Sequence, residues 1–239
     1  MKFSIIIFLL CLVVCSKYLH INLFSIQTSE ADYYTYYTDV EPPENSSFKV
    51  WCERKFLEGH SVYDAYRQIA FKIKFREEPP HNDFWQTPLE TMHRHAGDCE
   101  DAVLLFNNIL PHHINNGRIV WGVVEDLVKN VEFAHVWFEL KDRKGELYLV
   151  DPFTNDWNGI THLALLKDKK IKMEIVGIPN NLIGDLLDNK LEIEAVKRSI
   201  IIRKQFFDPN LIRRIDDIFA KLKRVSLRYV EQKRMLRRQ

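Results

Sequence analysis

Cysteine, glycine and proline are all scarce in this sequence, at 4, 8 and 9 of 239 residues. So few cysteines exclude a small scaffold held by disulfides, and so little glycine and proline excludes a collagen-like or low-complexity chain. There is no internal repeat, and almost no net charge: 34 basic residues stand against 33 acidic ones. That balance hides a division. Residues 197–239 carry 14 Lys and Arg against 4 Asp and Glu, which leaves the rest of the chain acidic, with 20 against 29. What the chain does have is apolar mass, 46% of residues, with 12% aromatic. This excludes disorder for most of its length and suits one sizeable globular domain with appendages.

Ser4 to Cys15 is a nearly unbroken apolar run behind Lys2. It has the length and flank of a signal-peptide core and is too short to span a bilayer alone, so export is expected, to the periplasm, the medium or a membrane surface. Lys17–Phe24 could extend it into an uncleaved anchor, although Ser16, Lys17, His20 and Asn22 interrupt the apolar pattern. Residues 1–25 therefore read as signal peptide or membrane anchor, 26–47 as a linker or arm, 48–180 as the main domain, and 181–239 as a basic helical extension. Cys11 and Cys15 fall in the leader, which leaves Cys52 and Cys99 to the domain.

Start signals place the helices. Ser61 with Asp64 opens an amphipathic helix reaching about Ile73, and Thr87-Pro88-Leu89-Glu90 caps a short one ending near His93. Asp98, with Asp101 three positions on, opens a helix that Pro111 ends. From Arg118 the period changes to two. Arg118–Val124, Glu132–Leu140 and Glu146–Val150 read as antiparallel strands, with another at Lys172–Val176 and helices from about Ile183 onward. The class is α+β.

Cys99 falls in the first turn of its helix, where unpaired backbone N–H groups favour thiolate, and this makes it the candidate nucleophile. The turn Lys141-Asp142-Arg143-Lys144-Gly145, centred on Arg143, pairs Leu140 with Glu146, Phe138 with Tyr148, Val136 with Val150, and His135 with Asp151. Cross-strand neighbours lie close enough for a carboxylate to orient an imidazole. A one-residue slip would separate the two onto opposite faces.

A helix-borne cysteine followed by a strand histidine and a strand-end aspartate resembles the transglutaminase-like superfamily. The stretch from about Phe84 to Pro152 carries the resemblance, through Phe84-Trp85-Gln86-Thr87-Pro88 with Glu90, Gly97-Asp98-Cys99-Glu100-Asp101, Ala134-His135-Val136-Trp137 and Tyr148-Leu149-Val150-Asp151-Pro152. It is most similar to the bacterial transglutaminase-like cysteine proteinases. The resemblance implies a papain-like core with the cysteine helix packed on the antiparallel sheet. It also implies Cys99 as nucleophile, His135 as base and acid, and Asp151 as orienting group. The expected reaction is thioester-mediated acyl transfer on a protein or peptide, with water giving a peptidase or amidase and an amine giving a protein-glutamine transferase. A catalytically silent binding module on the same fold is the other reading. The Cys99 backbone N–H, with Gln86 second, is the candidate oxyanion donor. No cofactor is required. Asp98, Glu100 and Asp101 crowd negative charge against the thiol, and carboxylates are the ligands calcium prefers, so the resemblance makes Asp98 and Glu100 a candidate calcium site, one that some proteinases of that family have.

Leu211, Ile215, Ile218, Leu222, Val225 and Tyr229 recur at 4-3-4-3-4 spacing behind Asp208-Pro209, which predicts a long amphipathic helix. Its basic face suits an anionic membrane surface, a partner helix or the acidic body of the same chain. Nucleic acid is not an expected partner of an exported protein.

Overall fold

The computed structural model describes residues 46–78, 83–111, 114, 116–154, 160–162, 169–204 and 208–238. The leader and nearly all of the arm lie outside the described residues. The chain opens with helix α1 (Ser46–Lys55), which begins inside the expected arm. Its hydrophobic pattern is weak, and tertiary contacts make it: Phe48 stacks on Trp51 with ring centroids 5.6 Å apart, and Trp51 meets Phe56 and Tyr148 edge-on. Helix α2 (Gly59–Lys72) starts two residues before Ser61, behind Glu58, whose side chain makes no cap bond. Asp64 pairs instead with His60, at 3.0 Å.

The short strand β1 (Lys74–Phe75) runs parallel to β2 (Ala96–Gly97). Between them lies α3 (Pro88–Arg94). Its capping box is the expected one, with Glu90 N–H donating to Thr87 Oγ1 at 3.1 Å and Thr87 N–H to Glu90 Oε2 at 2.7 Å. Helix α4 (Cys99–Ile109) follows a second box formed by Asp98 and Asp101, and its residues Ala102 to Phe106 are fully buried. Leu110, the residue before Pro111, is already extended, because a following proline disfavours helix.

An antiparallel sheet completes the core, built from β3 (Gly117–Asp126), β4 (Val131–Lys141), β5 (Leu147–Val150), β6 (Ile160–His162) and β7 (Lys169–Pro179), in the order β6-β5-β4-β3-β7. The β4–β5 register differs from the expected one by two residues: Phe138 pairs with Val150 and Leu140 with Tyr148. The turn takes one more residue into β4 and one fewer into β5, as Gly145 adopts the left-handed φ of 85° just before Glu146. A shift of two keeps every side chain on its own face.

Ile119, Trp121, Val136, Phe138 and Leu140 face the helices, and Phe106 of α4 meets Phe138 at 5.0 Å. Each large apolar side chain buried there contributes about 1.5–3 kcal/mol. On the opposite face Val120, Val124 and Trp137 pack with Phe133, Leu149 and Ile171. The fold is thus α+β, a cysteine-bearing helix packed with an antiparallel sheet around one core.

Helices α5 (Asn180–Leu187), α6 (Ile193–Lys204) and α7 (Pro209–Arg238) follow. Ile215, Ile218, Phe219, Leu222, Val225 and Tyr229 of α7 join the same core as α4, so the helical extension is packed into the domain. Its basic residues divide. Lys221, Arg228 and Lys233 turn inward to Asp83, Glu90 and Asp188, whereas Arg213, Arg214, Lys223 and Arg224 are exposed. Among the described residues no helix is long and apolar enough to cross a membrane.

Candidate active site

The site forms where β4 outruns its neighbour. Pairing with β5 stops at Phe138, and the chain beyond Val150 turns away through Asp151. The start of α4 fills the notch. Cys99, partly buried, lies near the backbone N–H of Val136, the residue after His135, and that group favours its thiolate. On the β4 face away from the helices, His135 Nε2 lies 3.1 Å from Asp151 Oδ2. The observed register puts these two residues on a diagonal, and same-face diagonal neighbours remain within reach of long side chains. Trp137 stacks beneath the imidazole at 6.2 Å and Phe133 meets its edge at 5.7 Å. Gly122, directly opposite His135, makes room for that indole: a Cβ there would lie 2.4 Å from the Trp137 ring.

Burial pushes the Asp151 carboxyl up, but the hydrogen bond and charge of His135 outweigh it, so the group sits below the usual range. The Phe153 N–H donates to its second oxygen at 3.3 Å. With Nε2 engaged by Asp151, the free nitrogen of the ring is Nδ1.

Cys99 does not hydrogen-bond His135. Its thiol donates to Glu100 Oε2 at 3.1 Å. Burial, then the charge and hydrogen bond of Glu100 and the charge of Asp98, push the thiol well above its ordinary pKa, against a smaller pull from the Val136 N–H. Burial and Asp98 raise Glu100 to about 9, and the same two causes raise Asp101 to about 8. Asp98 is itself raised, first by burial, and its Oδ1 is buried with no hydrogen-bond partner among the described residues.

Gln86 is buried and spends its donors on Asp101 and Ala96, not on the thiol. Its backbone N–H donates to Asp101 Oδ1 at 2.6 Å, and its side-chain amide donates to Asp101 Oδ2 at 2.5 Å and Ala96 O at 3.2 Å. Both amide protons are thereby engaged, one on the first turn of α4 and one on β2. Gly97 is part of the same fit, because a Cβ there would stand 2.7 Å from the Asp101 side chain. Asp101, fully buried, is the residue on which these contacts converge; sequence reading saw in it a helix cap and a charge beside the thiol, and missed its grip on Gln86. The signal was present in its acidic neighbours, for a third carboxylate beside Asp98 and Glu100 needs donors of its own.

No protein-family model matches the chain, and no curated protein matches it. Among solved structures, calcium-bound LapG of Legionella pneumophila aligns at 17% identity and a TM-score of 0.38, over 49% of this chain and 63% of that one. EGTA-treated LapG aligns at 15% identity and a TM-score of 0.33, over 55% of this chain and 80% of that one. A candidate cysteine protease from Cytophaga hutchinsonii aligns at 15% identity and a TM-score of 0.31, over 62% and 53%. The chain thus spans less than two thirds of calcium-bound LapG. Likenesses this distant leave the chemistry to be read from the site's own geometry.

Proposed function

We propose that the protein is an exported cysteine hydrolase, a peptidase or amidase, acting on a protein or peptide through Cys99, His135 and Asp151. The observation that carries the reading is the His135 imidazole held by the Asp151 carboxylate where the β4–β5 ladder ends, with the thiol at the start of α4 near the backbone of the next residue, Val136. In the reaction, Cys99 gives up its proton to His135 and its sulfur attacks the amide carbonyl. The C–N bond breaks as His135 returns the proton to the leaving amine, and water, losing a proton to His135, then cleaves the thioester. Asp151 keeps the ring oriented and stabilises its charged form. The backbone N–H of Cys99 is the first donor for the oxyanion. Gln86 serves there only if it releases Asp101 or Ala96.

The residues fit a hard cation in their donor chemistry, with an orphaned Asp98 oxygen beside a Glu100 carboxyl that burial and the charge of Asp98 push up to about 9. Asp98 and Glu100 would hold calcium, with water completing the shell, since no three acidic, imidazole or thiol side chains converge as a metal site among the described residues. A bound cation supplies positive charge that ionises both carboxylates.

The catalytically silent module is the second reading, favoured by the thiol's bond to Glu100 instead of His135. A thiol-directed electrophile decides between them. Cys99 labelling that is fast, selective over Cys52 and lost in His135→Ala supports the enzyme, and labelling indifferent to His135 removes it. An amine probe incorporated into glutamine side chains would identify a transferase. Export rests on the leader, and the exposed Arg213, Arg214 and Lys223 suit an anionic membrane surface or a partner helix.

A further inference from the structure

Two segments far apart in sequence meet beside the site. From α7, the Arg228 guanidinium donates to the Trp85 carbonyl, lies 4.4 Å from the centre of the Phe84 ring and stands 3.4 Å from Glu90 Oε1. One turn on, Gln232 accepts from Thr87 Oγ1 at 2.7 Å and donates to Glu90 Oε1 at 3.0 Å. Two turns back, Lys221 pairs with Asp83 at 2.5 Å and covers the Trp85 ring at 5.5 Å. Every residue from Asp83 to Thr87 except Gln86 is thus touched by α7, directly or at its neighbouring peptide. Gln86 is the one whose backbone and side chain both reach inward to Asp101.

We infer that α7 is part of the catalytic apparatus, with Arg228 and Gln232 as positioning residues that hold Trp85-Gln86-Thr87 so that Gln86 fixes Asp101 and, through it, the first turn bearing Cys99. The inference rests on the reading of Cys99 as nucleophile. Its physical basis is that Asp101 is fully buried and each of its carboxylate oxygens accepts a hydrogen bond from Gln86. Trp85 and Thr87, on either side of Gln86, are held from outside by hydrogen bonds to Arg228 and Gln232, which stand on a helix anchored in the core through Leu222, Val225 and Tyr229. A charged, partly buried guanidinium bonded to a carbonyl and stacked on an aromatic ring is a strong local anchor. Reactive groups lose rate steeply when displaced by even about 1 Å.

The test uses the full chain carrying Arg228→Met, Arg228→Lys or Gln232→Ala, with Arg224→Gln, on the exposed side of α7, as control. The rates of alkylation of Cys99 and Cys52 by iodoacetamide are read by mass spectrometry. Cys52 is fully buried in the core and reports general loosening. Arg228→Met and Gln232→Ala should slow Cys99 roughly tenfold to a hundredfold while Cys52 stays protected. Arg228→Lys should recover part of the rate by keeping a cation over Phe84 and beside Glu90, and Arg224→Gln should match the unaltered chain. A Cys99 rate that is unchanged or faster in Arg228→Met, or Cys52 labelling that rises in step, overturns the inference. Should Arg228→Met not fold, Gln232→Ala decides by the same outcomes. His135→Ala separates the two readings: indifference of Cys99 to His135 removes the proposed chemistry, while the Arg228 series still reads whether α7 holds the helix start.

Discussion

His135 Nε2 and Asp151 Oδ2 are 3.1 Å apart across a diagonal of the sheet, at the point where β5 has already ended. Because the carboxylate lies past the last ladder pair, its position depends on the turn that follows, where the Phe153 N–H holds its other oxygen. Asp151→Asn keeps an acceptor for that N–H and removes the charge that stabilises the imidazolium. Turnover of a cleaved substrate should fall on the order of a hundredfold or more with the melting temperature little changed. Undiminished turnover would exclude Asp151 as the orienting group.

The acidic residues around Cys99 predict an unusual response to pH. Glu100 and Asp101 are raised by burial to about 9 and about 8, so at neutral pH the folded chain holds protons that the unfolded chain, with ordinary carboxyl groups, has lost. Stability therefore falls as pH rises from the ordinary carboxyl range through about 9. The melting temperature should drop across that span, and Glu100→Gln should flatten the drop. Calcium should restore stability most at the alkaline end. A melting curve indifferent to calcium and to chelator at every pH would remove the Asp98–Glu100 site.

Gln86→Ala should lower stability by about 1–3 kcal/mol, because it strips Asp101 of a buried donor without filling the space. Urea unfolding measures this, and a change below about 0.5 kcal/mol would show that water replaces the amide.

On the outer face of the sheet, Glu139 is buried between Arg118, at 2.6 Å, and the Trp137 indole N–H, at 3.0 Å. Arg118→Met leaves that carboxylate without its cation and should cost about 3–5 kcal/mol in the same measurement. Since Trp137 also stacks under His135, Cys99 labelling should slow as well. Stability unaffected by the substitution would show that the indole suffices for Glu139.

Local signals with a single physical reading were legible in advance. The Thr87–Glu90 box and the Asp98–Asp101 box each fix a helix start through bonds made within four residues, so neighbours in sequence determine them. The face shared by His135 and Asp151 was legible for a different reason: strand alternation has period two, and a hairpin register wrong by two residues still puts both on one side. Where meaning came from distant packing, the sequence was silent. Helix α1 exists because Phe48 and Trp51 find Tyr63 and Tyr148. The thiol's choice of Glu100 and the two-sided grip on Gln86 likewise depend on groups brought together only by folding.

The hold on Trp85 has a consequence for how the site comes into being. The guanidinium that binds this carbonyl lies 143 residues further along the chain. Translation delivers Cys99, His135 and Asp151 well before Arg228, so a nascent chain carries the three reactive groups for a time without the brace that sets the first of them. Reactivity of the thiol should therefore switch on late in synthesis, at the emergence of the long helix and not of the sulfur itself.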